Sequence, residues 1–596
     1  MKKILAPLLI VAAVGAIYAP ALRNKFVWDD TALVLRDPLI RSWRLIPEGF
    51  NHFLFTDATP SDFYRPLQRV TYTLEYIAVG FQPMLYHLSS IILHAAAAVA
   101  LFVFTQELLL SYGLDEPKRR LIASVATLVW AIHPIHSPAV AYVAGRADPL
   151  AALFGFAGLY LVIRSTRATS ANKWRLFIAA GLAFLLSAFS KESGLIFPLV
   201  ALMLFVTRKR WLDMWKTVAV AGFVAAIYFS LRLGAEHYHP PALSPPAPPL
   251  VRPIIAARAI AEYAGLILLP LNLHVDRDVE THPSGWNDAS LRGAAWRELQ
   301  TLLGLVLMAA LLCWGWRARK ANPAVFTLLL LALISYLPVS GIVPLNATVA
   351  EHWLYVPSAF LFFAGAVELG SVGFAIVAKR VAVGVLTLWL LFLGSRTFVR
   401  TFDWKDQRTF CERAVMQSGD SARMLINLGS LEANEGRLQE AATHLRAALQ
   451  KKPDQPLAVI NLAVLALKQN DLKLARQLLE RATHMPLVDA QGHELLAVLK
   501  HKENGTVDVL RMRLAAHTGP PDWSIEKRYI QVLDQTGATS SAVNELLTCL
   551  QTQWYRAESW QLLGQLHAKL GHSSQADRAF AQAHDYDVHL ASRLVL

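Results

Sequence analysis

The sequence predicts an all-α protein in two parts, a polytopic membrane domain over residues 1–400 and a solenoid of helical hairpins over residues 401–596. Three observations carry this reading. Hydrophobic residues make up 54% of the chain against 17% charged, and the mean hydropathy is +0.36, the balance of a chain that crosses a bilayer repeatedly. Short basic clusters punctuate the apolar runs, as expected where positive loops stay in the cytoplasm. After Arg400 the chain turns polar, and its apolar residues recur with helical periodicity inside a longer repeat. The net charge of +13 belongs to the interhelical clusters and requires no nucleic-acid partner. The three cysteines, Cys313, Cys411 and Cys549, form no CxxC pair and no disulfide framework.

The first apolar run, residues 4–22, follows Lys2-Lys3 and is about the ~20 residues needed to cross a bilayer. Ala19-Pro20-Ala21 makes a poor cleavage site, so the run is read as a retained first span and not as a signal peptide. Further runs follow at 85–110, 121–132, 149–163, 176–189, 195–206, 218–231, 299–316, 324–337, 354–370 and 381–394. The shorter ones need flanking residues to complete a crossing. Basic clusters at 2–3, 118–120, 164–175, 208–210, 317–320 and 379–380 all fall inside if the chain makes about eleven crossings and ends outside. That parity excludes 254–271, which carries Arg258 and Glu262 and is read as an interfacial or re-entrant helix after the proline-rich stretch 240–249.

Beyond residue 400, a segment at 402–416 is expected to form a helix joining the last span to the array. Leu428-Gly429, Ala441, Leu445, Ala448 and Pro453 then fall at the positions of a tetratricopeptide repeat. A shift of about 34 residues brings Leu462-Ala463, Ala475, Leu479 and Ala482 into the same register. Trp560, Leu563-Gly564, Ala576, Phe580 and Ala583 mark a last clear repeat, with degenerate helical spacing at 490–556. Small residues facing large ones let the two helices of a hairpin pack closely and stack on the next hairpin. Such an array offers a concave surface to peptides or proteins.

With this sidedness the outer loops collect the chemistry. Phe26-Val27-Trp28-Asp29-Asp30 leaves two adjacent carboxylates at the membrane edge. Either they cap the following turn or they do chemistry. Arg65 stands in Tyr64-Arg65-Pro66-Leu67. The densest segment runs from His133 to Asp148 and holds His133, His136, Gly145, Arg146 and Asp148. Histidines at i and i+3 are spaced for a metal, but no third ligand is nearby, so hydrogen bonding to a phosphate or sugar is favoured. Otherwise they tie down a re-entrant loop. Gly145 would leave room for a ligand, and Arg146 suits a bidentate phosphate contact unless it pairs with Asp148. Lys191-Glu192 could neutralise a leaving phosphate or pair with itself across a hairpin. Glu351-His352 opens a later span and could hold the acceptor or a cation. Carboxylates and cations on one face suit sugar transfer from a polyprenyl phosphate, a carboxylate taking the acceptor proton while basic groups receive the phosphate. No Gly-rich loop of the Rossmann or P-loop kind provides for a soluble nucleotide donor.

These motifs, with Ser190-Lys191-Glu192-Ser193, the run Glu351-His352-Trp353-Leu354-Tyr355-Val356-Pro357-Ser358 and Phe402-Asp403-Trp404-Lys405-Asp406, resemble the transmembrane and tetratricopeptide-repeat containing O-mannosyltransferases and their bacterial relatives, in order and over nearly the whole chain. The resemblance implies a GT-C membrane fold that moves mannose from a lipid phosphate to protein Ser/Thr with inversion, using an acidic residue of the first outer loop, here Asp29 or Asp30. The residues themselves offer donor contacts at Arg65, His133, His136, Arg146 and Lys191, with Asp148, Glu192, Glu351 and His352 supporting the site or the acceptor. No cofactor beyond the lipid-linked sugar is called for, and a divalent metal is disfavoured. The family's common Glu after the second histidine is replaced by Pro138, and the array is short. Compact loops point to a bacterial inner membrane with a periplasmic array, or an ER membrane with a lumenal one in a eukaryote. Two other classes stay open: a GT-C enzyme glycosylating a lipid or polysaccharide, and a non-enzymatic membrane scaffold. A transporter is disfavoured because its ionisable residues would sit at mid-span.

Overall fold

In the computed structural model of the chain, residues 2–57, 61–235, 248–277, 279, 288–342, 345, 347–373, 375–418 and 421–590 are described. Asp278 and most of the proline-rich stretch, 240–247, lie outside them. Among the described residues the protein is helical, with one isolated antiparallel bridge between Arg277 and Val349. Two compact units emerge. One comprises residues 1–30, 83–232 and 246–418, and the other residues 31–82, 233–245 and 419–596.

The first unit holds the apolar helices. Eight described helices are long and apolar enough to cross a membrane: Ile4–Arg23, Pro83–Ser111, Ala144–Ser165, Asn172–Ser190, Trp211–Gly234, Ala294–Ala321, Glu351–Ser371 and Ile376–Trp404. The pair Glu116–Ala131 and Pro134–Val140, bent by 54° at the break, adds a broken span, and Glu192–Thr207 and Pro323–Val339 are shorter apolar helices. Together they match the eleven segments expected, and this is a multi-pass membrane protein. Leu388 and Leu391, on the helix Ile376–Thr401, are more than 60% exposed, as lipid-facing side chains are. The helix Arg252–Leu268 is not among these spans. Its Arg258 is buried and donates to Val279 O, Thr301 Oγ1 and Glu298 Oε1, while Glu262 pairs with Arg277 at 2.7 Å. Charged groups satisfied by protein explain why this helix tolerates them.

Small residues set the helix spacing. A Cβ on Gly155 would lie 2.2 Å from the Phe197 ring, and one on Gly158 2.4 Å from the Phe184 ring.

In the second unit, residues 422–586 form five helix pairs, from Ala422–Asn434 with Leu438–Lys451 to Ala557–Lys569 with Ser573–Tyr586. The repeat register has a direct packing reason: a Cβ on Gly429 would press Leu445, and one on Gly564 would lie 2.5 Å from the Phe580 ring. The degenerate middle folds as helix pairs as well, around Trp523, Tyr529, Ile530, Ala542 and Leu546. Residues 31–82 belong to this unit. Their Leu39 and Leu45 share a core with Tyr555, and Tyr76 Oη donates to Asp587 Oδ1 at 2.8 Å.

Candidate functional site

The chain leaves the first span through a turn whose geometry separates the two aspartates. Asp30 is fully buried. Its Oδ2 accepts from Val27 N at 3.0 Å and its Oδ1 from Ala144 N at 2.7 Å, so the side chain closes its own turn and fastens it to the 133–148 segment. Burial pushes the Asp30 carboxyl up to about 8, against the two backbone donors that favour its charge. Asp29 is half-buried, and its backbone N–H donates to Tyr142 Oη at 3.1 Å. Burial, followed by the charges of Asp29 and Asp30, holds the Tyr142 hydroxyl well above its usual range.

Trp28 makes the turn sharp. Its φ of 51° lies in the left-handed region, unusual for so bulky a residue. Its ring stacks on Tyr142 at 5.6 Å and Phe410 at 5.3 Å, Trp404 stacks on both of those rings, and the backbone N–H of Trp28 donates to Gln407 Oε1 at 2.6 Å. Four rings thus underlie the aspartate turn. Strain of this kind persists only where surrounding contacts over-determine it.

The 133–148 segment folds as short helical turns. His133 Nδ1 accepts from Ile135 N at 3.3 Å while Nε2 faces Ile267 O at 2.9 Å, which selects the Nε2–H tautomer. His136 is boxed by Trp130, Tyr355 and His94 at ring distances of 5.0, 4.8 and 6.1 Å. Both histidines are fully buried. Among the described residues no three His, Cys, Asp or Glu side chains stand where they could hold a metal ion. The room expected at Gly145 is taken by protein: a Cβ there would lie 2.0 Å from Pro138 O, so glycine serves the close approach of two turns. Arg146 is fully buried, and its guanidinium donates to Tyr86 O at 2.6 Å.

Asp148 pairs with Lys191, whose Nζ donates to its Oδ1 at 2.6 Å, both side chains nearly buried. Lys191 leads a tight turn in which a Cβ on Gly194 would lie 2.3 Å from Ser187 O. Glu192 stays half-buried. Glu351 is fully buried and pairs with Arg400 at 2.9 Å, which also holds Asp403 at 2.6 Å, while His352 is half-buried. Arg65 lies in the second unit with its guanidinium 4.4 Å above the Phe63 ring. Within the first unit, then, Asp30 meets Ala144, Asp29 meets Tyr142, Asp148 meets Lys191, and Glu351 meets Arg400, which also holds Asp403. Sequence reasoning passed over Tyr142, Gln407, Trp404, Phe410 and Arg400. Tyr142 and Trp404 stood inside quoted motifs, and an aromatic in each was the available signal.

Two family models, both described as tetratricopeptide repeat, match residues 433–499 and 407–456. Over 491 residues the chain is 25% identical to "Protein O-mannosyl-transferase TMTC3" of Mus musculus, an alignment covering 76% of this chain and 52% of that protein. The chain is a homologue of the TMTC proteins. "Protein O-mannosyl-transferase F38B6.6" of Caenorhabditis elegans is 26% identical over 470 residues, 75% of this chain and 63% of the relative. The chain thus spans about half the length of the TMTC3 relative it matches. Among solved structures, ArnT from Cupriavidus metallidurans bound to undecaprenyl phosphate aligns over 83% of this chain and 77% of its own, at 14% identity and a TM-score of 0.36, too low a likeness to argue from.

Proposed function

We propose that this TMTC homologue transfers a sugar, mannose by analogy with the names of its relatives, from a polyprenyl-phosphate donor to a Ser or Thr hydroxyl of a protein on the non-cytoplasmic face, with Asp29 as general base. The observation that carries the assignment is the contrast between the two aspartates. Asp30 spends both oxygens on backbone N–H groups in a buried turn, whereas Asp29 is half-exposed on an aromatic platform. In the proposed step the Asp29 carboxylate takes the acceptor hydroxyl proton as that oxygen attacks the anomeric carbon. The bond from that carbon to the phosphate oxygen breaks, and the lipid phosphate leaves with the electron pair in a single inverting displacement. Lys191 is assigned to neutralise the leaving phosphate, with Asp148 holding it in place. The burial of His133, His136 and Arg146 favours roles in building the site rather than in touching the donor. The repeat array is assigned to the acceptor protein.

Sidedness draws support from the second unit. Residues 31–82 share a core with the repeats, and a bilayer cannot pass through a shared core, so loop and array lie on one side. With the bent pair counted as one crossing, ten of the apolar segments among the described residues lie between that loop and the array, and an even number returns the chain to the same side.

The test supplies membranes containing wild type, Asp29→Asn or Asp30→Asn with radiolabelled polyprenyl-phosphate mannose and an envelope protein extract. Label is expected to reach protein with wild type. Asp29→Asn should lower transfer by about 10²–10⁴-fold at unchanged expression, the usual worth of a general base. Full transfer by Asp29→Asn would refute the assignment. Label arriving only in lipid or glycan would refute the protein acceptor.

A further inference from the structure

The membrane domain carries another group of charges, at the ends of its helices away from the Asp148–Lys191 pair. Helix Ala147–Ser165 starts at Asp148 and helix Ser170–Ser190 returns to Lys191, so the turn between them lies a full helix length from that pair. At 1.5 Å per residue the 19 residues of the first helix rise about 29 Å, close to the ~30 Å of a hydrocarbon core. Helix Ile196–Thr207 then runs back from the Lys191 turn and delivers Arg208-Lys209-Arg210 to the same end. Arg210 Nη2 donates there to Thr166 O at 3.4 Å, and Arg208 Nη2 reaches Ser111 O, at the close of helix Pro83–Ser111, at 3.5 Å.

Three guanidiniums gather at this end, and they are unequally matched. Arg167 pairs with Glu107 at 3.0 Å and Arg210 with Asp213 at 2.9 Å, while Asp213 also takes Lys173 at 2.5 Å. Arg208 is half-buried with its guanidinium 5.6 Å from the Tyr112 ring centre, and no carboxylate among the described residues is in ion-pair reach of it. Its Nη1 is shielded from solvent and has no hydrogen-bond partner among the described residues. Burial holds the Arg208 guanidinium below its usual range; Tyr112 opposes this, and the charges of Arg210 and Arg167 add to it. Two carboxylates thus answer four cations. A half-buried cation among like charges is costly until an anion joins it. The side chains of Arg167 and Arg210 are still 41% and 37% exposed, so an anion reaching them from outside meets Arg208 as a third donor. Guanidinium forks suit phosphate oxygens in particular.

The surroundings of the cluster argue for a lipid. Helix Trp211–Gly234 starts directly after Arg210, and its Trp211, Leu212 and Trp215 are all more than half exposed. Trp174 is as exposed, and Lys216 Nζ lies 5.3 Å from its ring centre. Tryptophans beside cations are what a membrane protein places in the head-group layer. We infer that Arg167, Arg208 and Arg210 form a binding site for the phosphate of an anionic phospholipid, at the membrane face opposite the Asp148–Lys191 pair. Basic pockets between membrane helices take such head groups, and the exposed Leu212 and Phe223 leave the acyl chains an apolar path along helix Trp211–Gly234. The site is independent of the sugar-transfer reading.

The experiment titrates the full chain, in a neutral detergent, with phosphatidylglycerol, phosphatidylcholine or inorganic phosphate and follows the unfolding midpoint. A ligand that binds the folded state raises the midpoint as its concentration rises, which gives an apparent Kd. Wild type should bind phosphatidylglycerol at least about tenfold more tightly than phosphatidylcholine, and inorganic phosphate at the same concentration should leave the midpoint unmoved. Arg208→Gln should weaken phosphatidylglycerol binding by about tenfold, and Arg208→Lys by less, because lysine keeps the charge and loses the fork. Lys209→Gln removes the same charge from the exposed neighbouring residue and should cost no more than about twofold. Taking the ratio of the two lipids' Kd values on each variant separates lipid recognition from any change in folding. Equal losses from Arg208→Gln and Lys209→Gln would overturn the proposal, because a diffuse basic surface would then suffice. Equal binding of the two lipids by wild type would overturn it without any variant. Equal stabilisation by inorganic phosphate would overturn a lipid as the occupant.

Discussion

Trp28 offers a test in which the smaller residue should be the better one. Its φ of 51° costs any non-glycine residue about 1–2 kcal/mol. The ring offsets this by stacking on Tyr142 and Phe410, each such contact being worth about 0.5–1.5 kcal/mol beyond area burial. Trp28→Ala loses both stacks, about 1–3 kcal/mol, and keeps the strain. Trp28→Gly loses the same stacks but removes the strain, less about 0.4–1 kcal/mol for the added freedom of the unfolded chain. Glycine should therefore be more stable than alanine at this position by about 0.5–1 kcal/mol, the reverse of the order in a helix. The assay is the thermal unfolding midpoint of full chain in detergent, with amide exchange at 26–30 to locate the change. Both variants should also lose transfer activity, since neither holds Asp29 on its platform. Alanine equal to or better than glycine would refute the claim that stacked rings hold a strained turn.

Two further tests bear on the same turn. Gly145→Ala places a Cβ against Pro138 O, a backbone atom that cannot swing aside, and moves Ala144 N off Asp30. It should destabilise by about 1–3 kcal/mol or more, read as a lower unfolding midpoint and faster exchange at 27–30, and a neutral result would remove the close approach. Asp30 sets a pH dependence. Burial raises its carboxyl from 3.8 to about 8, so the folded state prefers the neutral acid and the stability that preference gives is present below about 4 and lost as pH rises through about 8. The unfolding midpoint of wild type relative to Asp30→Asn should fall across that window, and a flat difference would show that the carboxyl is not buried as described.

Much of the architecture was legible because it follows from local rules. A bilayer demands apolar runs of a given length, so the eleven segments could be read one by one. A helical hairpin demands small residues where its helices touch, which is why Gly429 and Gly564 marked repeats before their contacts with Leu445 and Phe580 were visible. Arg258 and Glu262 argue against a lipid-exposed crossing at 254–271, and in the fold they meet the protein groups Glu298, Thr301 and Arg277.

The candidate site was legible as a set of motifs but not as a set of partners. Two adjacent aspartates look equivalent in sequence, and the hydrogen bond of Asp30 with Ala144, 114 residues away, tells them apart. Arg146 is the nearer cation to Asp148 in sequence, while the contact of Asp148 with Lys191, 43 residues on, exists only because the turn after Phe189 carries Nζ to the carboxylate. Histidines three apart read as hydrogen-bond partners for a phosphate or sugar, or as ties of a re-entrant loop; which side chains flank them, Trp130 and Tyr355 at His136 and the Ile267 carbonyl at His133, was not legible.

By itself, then, the sequence determined what short-range chemistry can encode: which segments are apolar enough for lipid, where hairpins repeat, and which loops carry charge. The tertiary structure alone decided which of those charges meet, which of the two aspartates accepts two backbone N–H groups, and that Asp57 meets Arg556 of the last repeats. The physical reason is that burial and periodicity are properties of each residue and its near neighbours. A hydrogen bond such as Asp57–Arg556, spanning 499 residues, exists only once the whole chain has closed around it.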